Sequence, residues 1–410
     1  MTGAGKFTPK LFIGWFGGLV LAVLAFAQAA ASAGLAIDGF RPLGAGFFSW
    51  RVEQMQLSID VFESRDRADA KRAIVVGQST LRLAPLNPRS LWLIGIGREL
   101  KGDLPGARRA MEQAERVSRR DGAVELWLGV DNFRREAVKA GLRNFDLMLR
   151  GDRNAATTVM PRLSMIILAP EGRRHLAPYI REDNPWLLDL LQAAVSSLPR
   201  AEPLAALLID RGKKAPDIAS VRPIYATLMK RLIREREYRQ ALRLHPLLPG
   251  SIAESLRDIG VAGDGTSESG YPPFIWDFSD SSERGGVLVG VGREAGLDIF
   301  GSPGTIGIAA SKLVEPLGRG AFGWRVDDRT VNFQSEAVWE ATCLIGESAG
   351  TVRRSVNLLG DGVPLGRTMM MRLPEDCRLL RMEMRIAGGV GRTPATITVS
   401  SLKLSSAERK

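Results

Sequence analysis

The spacing of apolar residues changes near residue 250, and this change limits the fold more than any other feature of the chain. Before it, apolar residues recur at helical spacing, as at Leu187, Leu191 and Val195. After it, short segments rich in β-branched and aromatic residues are separated by Gly, Pro and Asp. The sequence therefore predicts a multidomain chain in which α structure is followed by β structure.

The length of 410 residues exceeds what one hydrophobic core usually organises, so several domains are expected. Residues 248–272 are rich in Gly and Ser and form the clearest boundary. The predicted segments are an N-terminal membrane anchor or signal (1–37), a linker (38–53), a helical repeat domain (54–247), the Gly- and Ser-rich linker (248–272) and a β-sandwich (273–405).

The N-terminal segment has the pattern of a membrane helix. Lys6 and Lys10 precede residues 11–37, which contain no charged side chain. As a helix, residues 11–33 would be about 34 Å long, enough to cross a hydrocarbon core of about 30 Å. Because positive charges flank the cytoplasmic side of such helices, we expect a single-pass inner-membrane protein with a cytoplasmic N-terminus and a periplasmic body.

A cleaved secretory signal is the alternative for the same segment. Ala27-Gln28-Ala29 and Ala31-Ser32-Ala33 both offer small residues at the two positions that a signal peptidase reads. Cleavage would release the body into the periplasm, so both interpretations place the body outside the cytoplasm.

Residues 91–117 contain the clearest repeat motif. The motif combines a glycine at a close helix crossing, a turn and two small packing residues, at Gly95, Gly102-Asp103, Ala107 and Ala114. The first small packing position recurs one repeat length earlier at Ala73, and the crossing glycine recurs one repeat length later in Leu128-Gly129. The pattern resembles the tetratricopeptide repeat, a helix-turn-helix unit of about 34 residues.

The tetratricopeptide resemblance is clear over residues 55–140 and weaker over 220–247, where Arg236 replaces the turn glycine. It implies an α-solenoid that binds a protein partner, which we expect to be another envelope protein.

Beyond residue 272 the sequence predicts nine short strands, at 274–278, 286–291, 296–300, 305–310, 321–327, 338–344, 366–372, 379–386 and 396–404. The layout resembles carbohydrate-binding jelly rolls, with an aromatic opening strand, Gly323-Trp324 on a middle strand and a closing strand that ends in Ser-Leu-Lys-Leu. This resemblance implies an antiparallel, jelly-roll-like β-sandwich that binds a glycan.

Aromatic residues of the predicted sandwich are candidates for a ligand platform, because an aromatic face can stack on a sugar ring. The candidates are Trp276, Trp324 and Trp339, together with Phe278 and Phe333. Packing in the sandwich core is the alternative for each of them.

The chain contains two cysteines, Cys343 and Cys377, and two histidines, His175 and His245. Exported cysteines can oxidise, so Cys343 and Cys377 could form a disulfide; two buried free thiols are the alternative. So few His and Cys residues argue against a zinc cluster or a Ser-His-Asp triad. We therefore assign no catalytic residue, no cofactor and no metal site.

The formal charge of +11 is uneven, because residues 271–410 hold 17 Lys/Arg and 16 Asp/Glu, which leaves about +10 on the first 270 residues. Such a surface suits anionic lipid, acidic polysaccharide or nucleic acid, and a solvated Arg-rich helix face with no dedicated partner is the alternative. Since residues 11–33 predict attachment to the inner membrane, we expect no nucleic-acid partner.

These features together predict a non-enzymatic, membrane-anchored periplasmic scaffold that serves cell-surface polysaccharide biosynthesis or export. Its repeats would bind a protein partner, and its β-sandwich would bind glycan or another envelope component. The alternative function is a carboxylate-dependent glycan-acting enzyme with its site on the sandwich near Asp277 or Asp327.

Overall fold

The computed structural model describes residues 54, 57, 58, 69–260, 270–290, 295–316 and 320–406. The expected anchor at 11–33 and the linker at 38–53 lie outside these residues. Within the described ranges, no helix is long and apolar enough to cross a membrane. The chain divides into two compact units, one that ends at Ala156 and one that begins at Thr157.

The first unit is helical. Its described helices are α1 (Asp69–Leu83), α2 (Pro88–Leu100), α3 (Leu104–Val117), α4 (Gly122–Arg134) and α5 (Val138–Gly151). Polar side chains begin three of them, because the free backbone N–H groups of a first helical turn need acceptors. The Asn87 side chain accepts from the Arg89 N–H at 3.0 Å, and the Asp103 side chain accepts from the Gly106 N–H at 2.9 Å. The Asp121 side chain caps α4 in the same way.

Two successive helical hairpins of the first unit share one geometry. Helix α4 begins at residue 122, 34 residues after α2 begins at 88, and α5 begins at 138, 34 residues after α3 begins at 104. In the first hairpin a Cβ added to Gly95 would lie 2.7 Å from Met111 Cε, and in the second a Cβ added to Gly129 would lie 3.0 Å from Phe145 Cε2. The helices of both hairpins therefore pack closely at equivalent glycines, where an added Cβ would require the facing side chain to shift.

The second unit begins with shorter helices. They are α6 (Ala156–Ser164), α7 (Pro170–Leu176), α8 (Leu187–Ser197), α9 (Glu202–Asp210), α10 (Arg222–Arg234) and α11 (Tyr238–Leu244). Prolines stand in the first turn of α7, α9 and α10, where a missing N–H is tolerated, and Pro161 lies inside α6. Along the chain, the described helices therefore continue up to the start of the β structure, as the sequence predicts.

Ten strands follow in the second unit. They are β1 (Asp277–Phe278), β2 (Arg284–Val289), β3 (Gly296–Gly301), β4 (Ile306–Val314), β5 (Gly320–Thr330), β6 (Glu336–Gly346), β7 (Val352–Arg354), β8 (Thr368–Arg372), β9 (Cys377–Ala387) and β10 (Ala395–Ser406). They form two five-stranded sheets, which we name sheet A (β1-β4-β9-β6-β7) and sheet B (β2-β3-β10-β5-β8). Every strand pair is antiparallel. The prediction of a helical region followed by an antiparallel β-sandwich is confirmed.

The core of the sandwich follows from the alternation of side chains along the strands. On β9, Leu380, Met382, Met384 and Ile386 belong to the buried cluster between the sheets. The intervening side chains, such as Glu383, therefore lie on the outer face of sheet A.

Helices α10 and α11 contact the sandwich within the second unit. The Lys230 ammonium on α10 lies 2.7 Å from the Asp277 carboxylate on β1. The His245 ring, directly after α11, stacks on Phe274 with 4.5 Å between ring centroids. One continuous body thus carries both the end of the helical region and the β-sandwich.

Candidate ligand-binding surface

The three tryptophans expected to form a ligand platform lie in the core. Trp276, Trp324 and Trp339 are 4%, 1% and 0% exposed. Trp324 and Trp339 both contact the ring of Phe322, at centroid distances of 5.3 and 5.0 Å. These three residues do not form an exposed platform in this structure, because their side chains point between the sheets and no ring face reaches solvent.

Phe333 is the aromatic candidate that remains accessible. It is 73% exposed and lies in the connection between β5 and β6. An isolated antiparallel bridge joins Phe333 to Val390, whose N–H donates to the Phe333 carbonyl at 2.7 Å. Val390 is 66% exposed and Val331 is 47% exposed. We call the connections 331–335 and 388–394 together the Phe333 tip.

Hydrogen bonds fix the shape of the Phe333 tip. The Asn332 side-chain amide donates to the carbonyls of Gly388 at 3.0 Å and Thr393 at 2.7 Å. The Asn332 N–H donates to the Ser335 hydroxyl at 3.0 Å. Because one side-chain amide ties the two connections together, Phe333 is presented to solvent with little freedom to fold back.

The two connections that form the Phe333 tip also carry exposed polar side chains. Gln334, Arg392 and Thr393 are all exposed at the Phe333 tip. An aromatic face accepts the C–H side of a sugar ring, while amide, guanidinium and hydroxyl groups can bond its hydroxyls. The tip therefore carries the kinds of groups that a saccharide site uses.

The predicted aspartates do not form a catalytic pair. Asp277 lies on β1 of sheet A, where Lys230 neutralises it, whereas Asp327 lies on β5 of sheet B and is paired with Arg325. The two proposed enzyme positions are thus on different sheets.

A different carboxylate pair does stand face to face. Glu340 on β6 and Glu383 on β9 are directly opposite in the antiparallel register of sheet A. Cβ atoms in such a pair are about 4.5–5.5 Å apart. Glu383 is 3% exposed and Glu340 is 8% exposed. Sequence reasoning missed the pair, because the register of strands that far apart cannot be read from alternation alone.

Arginines hold the two glutamates as ion pairs. The Arg381 guanidinium lies 2.8 Å from the Glu383 carboxylate, and Arg354 lies 2.9 Å from Glu340. Burial raises the pKa of Glu383; the Arg381 charge opposes that effect, and the Glu340 charge adds to it. A carboxyl group with a raised pKa beside a second carboxyl group is an arrangement that general acid catalysis uses.

Cys343 on β6 and Cys377 on β9 are joined by a disulfide, with an S–S distance of 2.05 Å and a Cα–Cα distance of 5.7 Å. The bond links neighbouring strands of sheet A at the end remote from the Phe333 tip. Among the described residues, no group of three or more His, Cys, Asp and Glu side chains could hold a metal ion.

Comparison with known proteins adds little to this geometry. No protein-family model matches the chain, and no curated protein matches it. Among solved structures, the enzymatically active domain of tailspike protein 4 from bacteriophage CBA120 resembles part of it, with 8% identity and a TM-score of 0.20. The similarity covers 35% of this chain and 23% of that chain. A resemblance this weak carries no argument about function.

Proposed function

We propose that this chain is a non-enzymatic scaffold of the bacterial envelope, held at the inner membrane by residues 11–33, that binds a protein partner through its helical hairpins and a glycan through its β-sandwich. In this proposal it serves the biosynthesis or export of a cell-surface polysaccharide. The observation that carries the proposal is the exposed Phe333 ring on a connection that hydrogen bonds hold in place.

Phe333 offers a ligand apolar surface, because burial of a phenyl ring contributes about 1.5–3 kcal/mol. The interlocked connections around Asn332 keep it exposed instead of letting it pack. A sugar ring stacked on Phe333 would recover that burial, and the polar groups nearby would bind its hydroxyls.

The disulfide supports the periplasmic location. Disulfides persist in oxidising compartments, including the bacterial periplasm, and are rare in the cytosol. A Cys343–Cys377 bond agrees with a body that has been exported, whether the N-terminal segment is retained as an anchor or cleaved as a signal.

The helical hairpins support a role in binding a protein partner. Their offset of one repeat length and their equivalent glycine crossings agree with the tetratricopeptide resemblance of the sequence. Exposed arginines on α3 and α5, among them Arg109, Arg116 and Arg143, give this unit a basic surface. We expect the partner to present an acidic surface in return.

Affinity electrophoresis tests the glycan site. The full-length chain in nonionic detergent is run through gels that contain dextran, polygalacturonate or chitosan, and its retardation gives a dissociation constant. Phe333→Ala should weaken retention about tenfold or more, because the stacked ring is lost. Met370→Ala is the matched control, since Met370 is 57% exposed on β8. Equal retention of the Phe333 variant and the wild type would exclude the tip, and no retention of the wild type by any polymer would exclude this glycan function.

A glycan-acting enzyme is the second candidate, and the opposed Glu340 and Glu383 carboxylates favour it. If the pair is catalytic, the purified chain should release reducing ends from one of the same polymers. Glu383→Gln and Glu340→Gln should each abolish that release while leaving retention in the gels unchanged. Release that both variants retain would assign the activity to other residues.

A further inference from the structure

A charged cleft lies at the end of the sandwich remote from the Phe333 tip. Its volume is about 900 Å³, within the range of ligand-binding pockets. The walls come from the helical segment after α10, from the end of β4 and from the β6 and β9 ends beside the disulfide. All of these elements belong to the second unit.

Three guanidinium groups from separate parts of the chain line the cleft. They belong to Arg239 on α11, Arg257 after the short helix Ala253–Leu256, and Arg378 on β9. All three residues are exposed. Arg257 approaches Glu315 at 3.9 Å, a long and solvent-exposed contact that compensates it weakly.

The other charged side chains that line the cleft form no ion pairs among the described residues. Among the described residues, neither Arg239 nor Arg378 has a carboxylate within ion-pair distance, and the Glu347 and Asp376 side chains have no such cation. Unpaired guanidinium groups suit a planar carboxylate, which they can bind through two parallel hydrogen bonds. Unpaired carboxylates suit hydroxyl donors. A sugar acid presents both kinds of group on one ring.

We infer that this cleft is a second saccharide site, which binds an acidic sugar residue through Arg239 and Arg378, so that the sandwich holds glycan at both ends. The inference rests on the proposed function for the kind of polymer, but it depends on a different site. Strand β6 runs from the Phe333 tip at Glu336 to the cleft at Gly346. At about 3.3 Å per residue, the two sites are about 33 Å apart.

Two sites at this separation change how a polymer is held. A long acidic chain bound at one end of the sandwich is presented to the other end at an effective concentration in the millimolar range, so its release requires both contacts to open. A short oligosaccharide binds each site alone. Retention should therefore increase with chain length far more than a single site allows.

Methyl NMR tests the cleft separately from the tip. Ile345 lines the cleft, whereas Val390 belongs to the Phe333 tip, so their methyl signals report the two sites individually. The full-length chain in detergent is titrated with trigalacturonate and, as the neutral comparison, with maltotriose. We expect saturable shifts of the Ile345 methyl with trigalacturonate and none at the same concentration of maltotriose.

The variant Arg239→Gln/Arg378→Gln should weaken the Ile345 response at least tenfold. Arg120→Gln/Lys139→Gln is the matched control, because both residues are exposed in the first unit and the change in net charge is the same. The control should weaken the response less than twofold. An unchanged Ile345 signal in the wild type, or equal losses in the two double variants, would overturn the inference.

The proposed function and this inference can fail independently. If saccharide shifts the Ile345 methyl signal and leaves the Val390 methyl signal unchanged, the Phe333 tip is rejected and the cleft is kept. The opposite result would reject the cleft and keep the tip.

Discussion

His245 occupies an unusual position for a single residue. It is completely buried against Phe274, and neither ring nitrogen has a hydrogen-bond partner among the described residues. Burial lowers the pKa of His245 to about 4, and the nearby Lys214 charge adds to the effect. The imidazole is therefore neutral in the folded chain at neutral pH, and the contact between α11 and the sandwich depends on that state.

Acid should weaken this contact. As pH falls below the ordinary histidine value of 6.5, the unfolded chain takes up a proton that the folded chain does not bind until about pH 4. The free energy of unfolding should therefore decrease as the pH falls from 6.5 to 4, by about 3 kcal/mol in total. Urea unfolding of the second unit measured across this range should reveal the loss in the wild type.

Comparison with His245→Leu isolates the effect of this residue, since the variant should lack that part of the pH dependence. His175→Gln is the matched control, because His175 lies on α7 with a partly exposed side chain near Glu171. Identical pH profiles for the wild type and His245→Leu would contradict the assignment.

Residue identity alone could not separate buried from exposed aromatic side chains. Trp324 and Trp339 point inward on their strands, which the predicted alternation had left open as the alternative. Phe333 is exposed because the Asn332 amide bonds link two distant connections, and no local pattern encodes that link. The cleft could not be predicted either, since tertiary packing brings Arg239 and Arg378 to the same cleft from distant parts of the chain.

The turn between paired helices is the element in which sequence and geometry agree most closely. Gly102 joins α2 to α3 with φ +84°, and the equivalent residue of the next hairpin is Glu136, with φ +61°. Arg236, between α10 and α11, has φ +62°. Residues 220–247, where the sequence resembles the repeat only weakly, therefore contain a turn of the same left-handed kind.

Glu136→Gly should stabilise the first unit. A non-glycine residue in the left-handed region destabilises the folded chain by about 1–2 kcal/mol, and glycine relieves that strain. Glycine also gives the unfolded chain more conformational freedom, which offsets part of the gain. We expect a gain of about 0.5–1 kcal/mol in the free energy of unfolding, measured by chemical denaturation. Arg135→Gly is the matched control, because Arg135 has φ −97° and should lose stability instead. A loss of stability in the Glu136 variant would contradict the strain argument.

Strand prediction located most strands of the sandwich. Nine strands were expected at positions that overlap nine of the ten described strands. The missed strand, β7, has three exposed residues at the edge of sheet A, so it carries no apolar alternation. The opposed Glu340 and Glu383 show the same limit, because alternation gives the face of a residue and not its partner across the sheet.

At the scale of the whole molecule, the disulfide constrains the sandwich covalently. It joins Cys343 to Cys377 across a sequence separation of 34 residues. Closing a loop of that length reduces the entropy of the unfolded chain by an amount worth about 3–4 kcal/mol. That is a large share of the roughly 5–15 kcal/mol that usually stabilises a domain.

Cys343→Ala/Cys377→Ala should therefore lower the unfolding free energy of the second unit by about 3–4 kcal/mol. Hydrogen exchange in β6 and β9 measures the change directly, and the first unit provides an internal control because its amide protection should not move. Addition of a reducing agent to the wild type should reproduce the loss. Unchanged exchange in β6 and β9 would contradict it.

The strand order also determines when each sheet can be completed as the chain emerges. The middle strand of sheet A is β9 and the middle strand of sheet B is β10, and these are the last two strands in chain order. Until residues 377–406 are available, each sheet consists of two unconnected halves with open edges, which are prone to wrong pairing. A channel that delivers this chain from its N-terminus would release the central strand of each sheet last. The emerging halves would then need protection by a holding chaperone for as long as transit continues.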